Sequence, residues 1–149
     1  MEDSAMIRSS GAMKRFNHLI TETEAAYHEM ILKLGLSDSA MSILYTVCNA
    51  GEPCPLRTVC RLTGKSKQTL HSALHKLEAE GVLLLSAENG RGKNIRLTEK
   101  GRALADATAG RMIEAENEVL DAWPQEDVER YLALTEKFLT AFREKTSKL

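Results

Sequence analysis

The sequence predicts a mainly α-helical fold with a small β-hairpin, and three observations lead to it. Two helix-like runs, Pro55–Thr63 and Ser66–Glu80, meet at a tight glycine turn, Gly64-Lys65. An apolar strand, Val82-Leu83-Leu84-Leu85, then runs to a Gly/Arg/Lys-rich tip, Glu88-Asn89-Gly90-Arg91-Gly92-Lys93, and a return strand ends at Leu97. Long amphipathic segments flank both features. Two helices joined by a tight turn and followed by a basic hairpin make a winged helix-turn-helix, a module that sets one helix in a DNA major groove.

Each element has its own local justification. In the first segment Met13, Phe16, Ile20, Thr23, Tyr27, Met30 and Leu34 recur every three or four residues and trace one helical face over about six turns, until Gly35 stops it. Ser37 or Ser39 can cap the second helix, whose apolar face is Met41, Leu44, Val47 and Cys48 and which ends near Gly51. Pro55 suits a first helical position. Asn89-Gly90 favours a tight hairpin turn with positive φ, and Gly92 adds freedom at the tip. After the hairpin, Thr98 caps a helix with Glu99 in its first turn. The positions Leu104, Ala107, Met112, Ala115, Val119 and Leu120 carry that single helix on to Trp123. Pro124 opens a last helix with Glu126 and Asp127 at its start and a stripe of Val128, Tyr131, Leu132, Thr135, Phe138, Leu139 and Phe142.

At 149 residues the chain is one domain-sized unit, with no apolar run approaching the roughly 20 residues of a membrane span. Three cysteines and no signal-like N-terminus argue against a disulfide framework, and the expected compartment is the cytoplasm. The net charge of −1 conceals a segregation. Pro53–Arg102 holds ten bases and four acids, a net +6, while the remainder holds ten bases and seventeen acids, a net −7. A basic middle between acidic ends concentrates attraction for phosphate on one segment. The flanking helices carry more apolar surface than the small central module can use, which points to a second copy of the chain rather than an intramolecular layer. The expected division is a helical dimerisation region, 1–36 and 103–149, around a winged helix-turn-helix DNA-binding domain, 37–102.

Within the second helix of the pair, Leu70, Ala73, Leu74 and Leu77 fall at i, i+3, i+4, i+7 and face the core. Gln68, His71, Ser72 and His75 are thereby placed on the opposite face, with Lys67 at the helix start and Lys76 beside them. Gln68 can bond adenine through paired hydrogen bonds, and Lys67 can donate to guanine O6/N7. Ser66 and Thr69 suit phosphate contacts and helix capping alike. Arg91 and Lys93 at the hairpin tip complete the expected DNA-binding set, an arginine on a loop being a common reader of narrow minor grooves. His71 and His75 also have metal-ligand spacing, but no third ligand accompanies them, and no metal or cofactor is expected.

These residues resemble the MarR family of bacterial transcription regulators, from the second helix through Ala103. The similarity lies in Leu62-Thr63-Gly64-Lys65-Ser66-Lys67, the helix exit Leu77-Glu78-Ala79-Glu80-Gly81, and the hairpin exit Leu97-Thr98-Glu99-Lys100-Gly101-Arg102. The resemblance implies a dimer of winged helices held by terminal helices and bound to near-palindromic operators. It also implies release of DNA on meeting a small phenolic or lipophilic ligand or an oxidant. The sequence departs from the family at the wing, where the usual Asp-x-Arg reads Asn89-Gly90-Arg91, so Arg91 is expected to be less rigidly aimed. Leu83-Leu84-Leu85 also lacks a basic residue often found there.

An effector pocket would lie near the junction of the first, second and fifth helices, walled by His18, Tyr27, Met30, Met41, Tyr45 and Met112. Met and Tyr suit an adaptable pocket, and the same residues serve equally as core. Cys48 and Cys60, at apolar helix positions, are expected to be buried and inert. Cys54, in a turn between two prolines and near Arg57, is the best exposed thiol for redox sensing. No catalytic constellation or phosphate loop appears, so no enzyme is expected. The expected function is a homodimeric, ligand-responsive repressor acting on double-stranded DNA, with a small aromatic or lipophilic effector and no membrane partner. The alternatives are a winged-helix module for protein–protein contacts and non-specific architectural DNA binding.

Overall fold

Helix α1 (Gly11–Lys33) begins where the Ser10 hydroxyl accepts the Met13 N–H at 3.1 Å. It ends in a Schellman closure: Leu36 N–H reaches the Ile31 carbonyl at 3.3 Å and Gly35, at φ 77°, supplies the left-handed turn. The computed structural model describes residues 5–88 and 91–149, the side chains of Glu88 and Arg91 excepted. Two compact units emerge, Met1–Gly110 and Arg111–Leu149.

The first unit is built on α2 (Asp38–Ala50), for which Ser37 is the cap. Its inner face, Ala40, Met41, Ile43, Leu44 and Val47, is buried and packs against α3 (Leu56–Thr63) and α4 (Lys67–Ala79). Ile43, Leu44, Val59, Leu70, Leu74, Val82, Leu83 and Ile95 are the largest apolar side chains shut off from solvent. Burying each contributes about 1.5–3 kcal/mol, which makes this cluster the main support of the unit.

Among the described residues three strands, not two, complete it. Strands β2 (Leu83–Glu88) and β3 (Arg91–Leu97) form the antiparallel hairpin, with Leu83 opposite Leu97 and Leu85 opposite Ile95. The additional strand β1 (Cys54–Pro55) pairs with β3 through Cys54–Ile95 and Pro55–Asn94, giving the order β1-β3-β2. At two residues long and bounded by prolines, β1 has no periodicity to betray it. Asn89 and Gly90, read from sequence as the hairpin turn, lie outside the described residues.

The exit from the wing shows why Leu97-Thr98-Glu99-Lys100-Gly101 is built as it is. Thr98 caps α5 (Glu99–Ala107) by accepting the Gly101 N–H at 3.0 Å, and its own hydroxyl donates to the Gly81 carbonyl. The threonine therefore ties the end of the hairpin to the turn that precedes it. Gly101 is buried against the same turn: a Cβ there would lie 1.8 Å from the Val82 carbonyl oxygen. Because the obstruction is backbone, Gly101→Ala should cost about 3 kcal/mol, the upper end of the overpacking range. Calorimetry should show Tm lower by about 6–12 °C. An unchanged Tm would mean that α5 and β2 do not approach this closely.

The single helix expected from Thr98 to Trp123 is two helices, α5 and α6 (Ala109–Asp121), broken at Thr108 with φ −126° and ψ −83°. Thr108 is buried and its hydroxyl donates to the Leu104 carbonyl at 2.7 Å, while its N–H turns to Ala105. The side chain takes the acceptor that the helix ladder would have used, and Gly110 close by lowers helix propensity further. In the second unit α7 (Gln125–Thr146) follows Pro124, with Glu126 and Asp127 in its first turn and Arg143 and Lys145 in its last. Both ends match the helix dipole. Trp123 meets Tyr131 edge-on at 5.7 Å, and Phe138 stacks on Phe142 at 5.9 Å. Neither α1 nor α7 buries a single residue. Among the described residues, no single helix is long and apolar enough to cross a membrane.

Candidate nucleic-acid interface

Gly64, at φ 71°, ends α3 in the left-handed region and turns the chain toward α4. Ser66 caps α4, its hydroxyl accepting the Thr69 N–H at 3.1 Å and lying 2.9 Å from the Thr69 hydroxyl. Lys65 braces the turn from outside, its ammonium donating to the Ser42 hydroxyl on α2 at 2.9 Å. With Leu70, Leu74 and Leu77 in the core and Ala73 half-buried, α4 has one rotational setting. It leaves Lys67, Gln68, His71, Ser72, His75 and Lys76 exposed.

Four of these, Lys67, Gln68, His71 and Ser72, line an open groove of about 620 Å³ together with Leu56 at the start of α3 and Lys93 of the wing. Two ammonium groups, an imidazole, an amide and a hydroxyl thus share a cleft with no carboxylate among its described lining residues. The surface can meet phosphate with its lysines and offer Gln68 and His71 to base edges. Leu56 had no place in the sequence-derived set, because a leucine opening a helix reads as core and is in fact buried.

The other candidates lie differently. Ser66 and Thr69 are exposed but already serve the cap. His75 faces Glu78 at 3.9 Å and Lys76 faces Glu80 at 4.0 Å, so both are partly engaged by acids of their own helix. The His71 and His75 rings meet edge to face at 4.2 Å. Among the described residues no group of three His, Cys, Asp or Glu side chains could hold a metal. Arg91 pairs through its backbone with Glu88, and its side chain lies outside what the structure describes.

Of the residues proposed for an effector pocket, Met41 and Met112 are buried, Met30 and Tyr45 are half-buried, and His18 and Tyr27 are exposed. His18 lies 3.9 Å from Glu22 on its own helix. The cysteine expectations are reversed. Cys48 is exposed and Cys60 half-buried, while Cys54 is fully buried. Cys48 lies one step past Val47, beyond the edge of the buried face of α2, and the pairing of β1 with β3 carries Cys54 inward. Burial pushes the Cys54 thiol above its ordinary pKa. The Cys48 thiol is also raised, chiefly by partial desolvation and then by Asp106 and Glu52. Neither is held as the thiolate that redox sensing needs.

Residues 34–92, which take in the helix-turn-helix and most of the wing, match the MarR family model. That segment is similar to the MarR family and has its winged-helix fold. The MarR-type fold extends beyond that segment. A MarR family regulator from Neisseria meningitidis, NMB1585, aligns with a TM-score of 0.79 at 17% identity, covering 93% of this chain and 99% of that one. PcaV from Streptomyces coelicolor, solved with its natural ligand, aligns with a TM-score of 0.66 at 16% identity, over 91% and 99% of the two chains. MepR from S. aureus, solved with DNA, aligns with a TM-score of 0.66 at 17% identity, over 85% and 93%. No curated protein sequence matches the chain. At these identities the likenesses establish the MarR-type fold, and the chemistry of the groove has to be argued from its own residues.

Proposed function

We propose that this chain is a non-enzymatic transcription regulator that binds a near-palindromic operator as a homodimer in the cytoplasm. One observation carries the reading: the exposed face of α4 and the wing's Lys93 line a single groove, with no carboxylate among its described lining residues. A module recruited for protein contacts would have no need to collect lysines, glutamine and histidine in one cleft. MepR, which shares the fold, has been solved on DNA. The dimer is supported by apolar side chains left exposed on the flanking helices, among them Ile20 at 43%, Leu132 at 56%, Leu139 at 45% and Phe142 at 57%. In this division 1–36 and 103–149 form the dimerisation region and 37–102 the DNA-binding domain.

The regulator acts as a repressor whose DNA affinity falls when a small aromatic or lipophilic effector binds; PcaV, which shares the fold, was solved with its natural ligand. Such a ligand works only through differential affinity for two states, and a coupling of about 1–3 kcal/mol suffices.

Selection from a random duplex pool tests the reading. It should yield an inverted repeat with half-sites about one turn apart, bound with a log–log salt slope near −0.9 per phosphate neutralised. A consensus without a repeat, or binding indifferent to salt, would overturn it. Thermal-shift hits among aromatic acids should then release the selected duplex, and hits that leave DNA affinity unchanged would remove the effector from the account.

A further inference from the structure

The wing's share of the groove depends on how the hairpin is held at its root, and one carboxylate is bound there on both oxygens. Pairing of β1 with β3 stops at Cys54–Ile95. Continued by two residues, the same register would set Glu52 opposite Leu97. Pro53 intervenes and cannot donate to a ladder. The Glu52 side chain takes over: one oxygen accepts the Leu97 N–H, and the other faces the Arg102 guanidinium of α5, Nε at 3.4 Å. The Glu52 side chain is 23% exposed, so the contact is partly shielded from solvent. A single carboxylate therefore joins the loop ahead of the helix-turn-helix, the last residue of the wing strand and the helix beyond it.

That junction acts through leverage. Lys93 lies four residues up β3 from Leu97, about 13 Å along an extended strand, so a tilt of roughly 10° at the root moves it by about 2 Å. A shift of that size separates a lysine that meets a given phosphate from one that does not.

We propose that Glu52 is a positioning residue for the groove, setting the angle of the wing against α4 so that Lys93 and Lys67 meet one bound duplex together. The inference rests on the DNA-binding reading above. Its test is a double-mutant cycle on the full chain, measured as affinity for the selected duplex, with Glu52→Ala, Lys93→Ala and the double variant.

Lys93→Ala alone should weaken binding about fivefold per half-site and reduce the salt slope by about 0.9 per half-site, about 1.8 for the dimer. In the Glu52→Ala background, where the wing is no longer aimed, it should cost less than twofold, and the slope should already be reduced. Glu52→Gln keeps an acceptor for the Leu97 N–H and should recover most of the wing's contribution. If Glu52→Ala does not fold, Glu52→Asp replaces it in the cycle, because its shorter side chain cannot span both partners. A structural role alone would lower Tm yet leave Lys93→Ala its full effect in either background, and such additivity overturns the proposal. Wild-type protein that fails to bind any duplex removes the DNA-binding reading and this inference with it. Wild-type binding with an additive cycle removes this inference alone.

Discussion

Truncation after Trp123 should convert a dimer into a monomeric or aggregating product, with the change read by sedimentation velocity. The deleted segment includes α7, which buries none of its residues yet exposes Tyr131 at 54%, Leu132 at 56%, Leu134 at 57%, Leu139 at 45% and Phe142 at 57%. Isolated apolar side chains on a surface need no explanation, but a two-sided set along a 22-residue helix does. Each such side chain moved from water into an interface contributes about 1.5–3 kcal/mol, and association first has to offset roughly 4–15 kcal/mol of lost freedom. Several must act together, so removing the whole helix should have a far larger effect than any point substitution. Helix α1 also leaves apolar side chains exposed, Ile20 among them. A full-length chain that sediments as a well-behaved monomer would contradict the dimer outright.

Legibility of the fold from sequence followed the range of the interactions involved. The outward face of α4 was readable because Leu70, Leu74 and Leu77 recur at helical spacing, and their burial leaves Lys67, Gln68, His71 and Ser72 outside. Caps were readable for the same reason: Ser37, Ser66 and Thr98 act on N–H groups three residues away. Contacts between distant segments were not. Strand β1 exists through its pairing with Asn94 and Ile95, some forty residues later in the chain. That pairing explains why Cys54 is buried where a turn between prolines suggested exposure. The kink at Thr108 depends on a hydroxyl choosing the Leu104 carbonyl, a choice that apolar periodicity does not encode. The role of Glu52 was hidden likewise, since an acid in a loop says nothing of the Leu97 N–H it will meet. The groove combines both kinds of information. Its α4 wall was legible, while the apposition of Leu56 and Lys93 required the folded sheet.

Replacing Gln68 or Lys67 by alanine should weaken binding to the selected operator by roughly 1–3 kcal/mol per half-site and relax base preference where the lost side chain acted. The two should differ in kind. The Gln68 amide carries no charge, so Gln68→Ala should leave the salt slope unchanged while reducing discrimination at one position, expected to be an adenine. Lys67 stands at the N-terminal end of α4, the end that reaches base edges in a helix-turn-helix. If it reads guanine, Lys67→Ala should erase a preference at that position. If it holds phosphate instead, all sequences should weaken together and the slope should fall by about 0.9 per half-site, about 1.8 for the dimer. Both side chains are exposed and neither supports the core, so Tm should move by no more than a surface substitution allows, within about 0.5 kcal/mol of stability. Binding isotherms at three salt concentrations, on the selected duplex and on single-base variants of it, separate these outcomes. Should both variants match wild type on every duplex while folding normally, the groove between α4 and the wing would not be the DNA-reading surface.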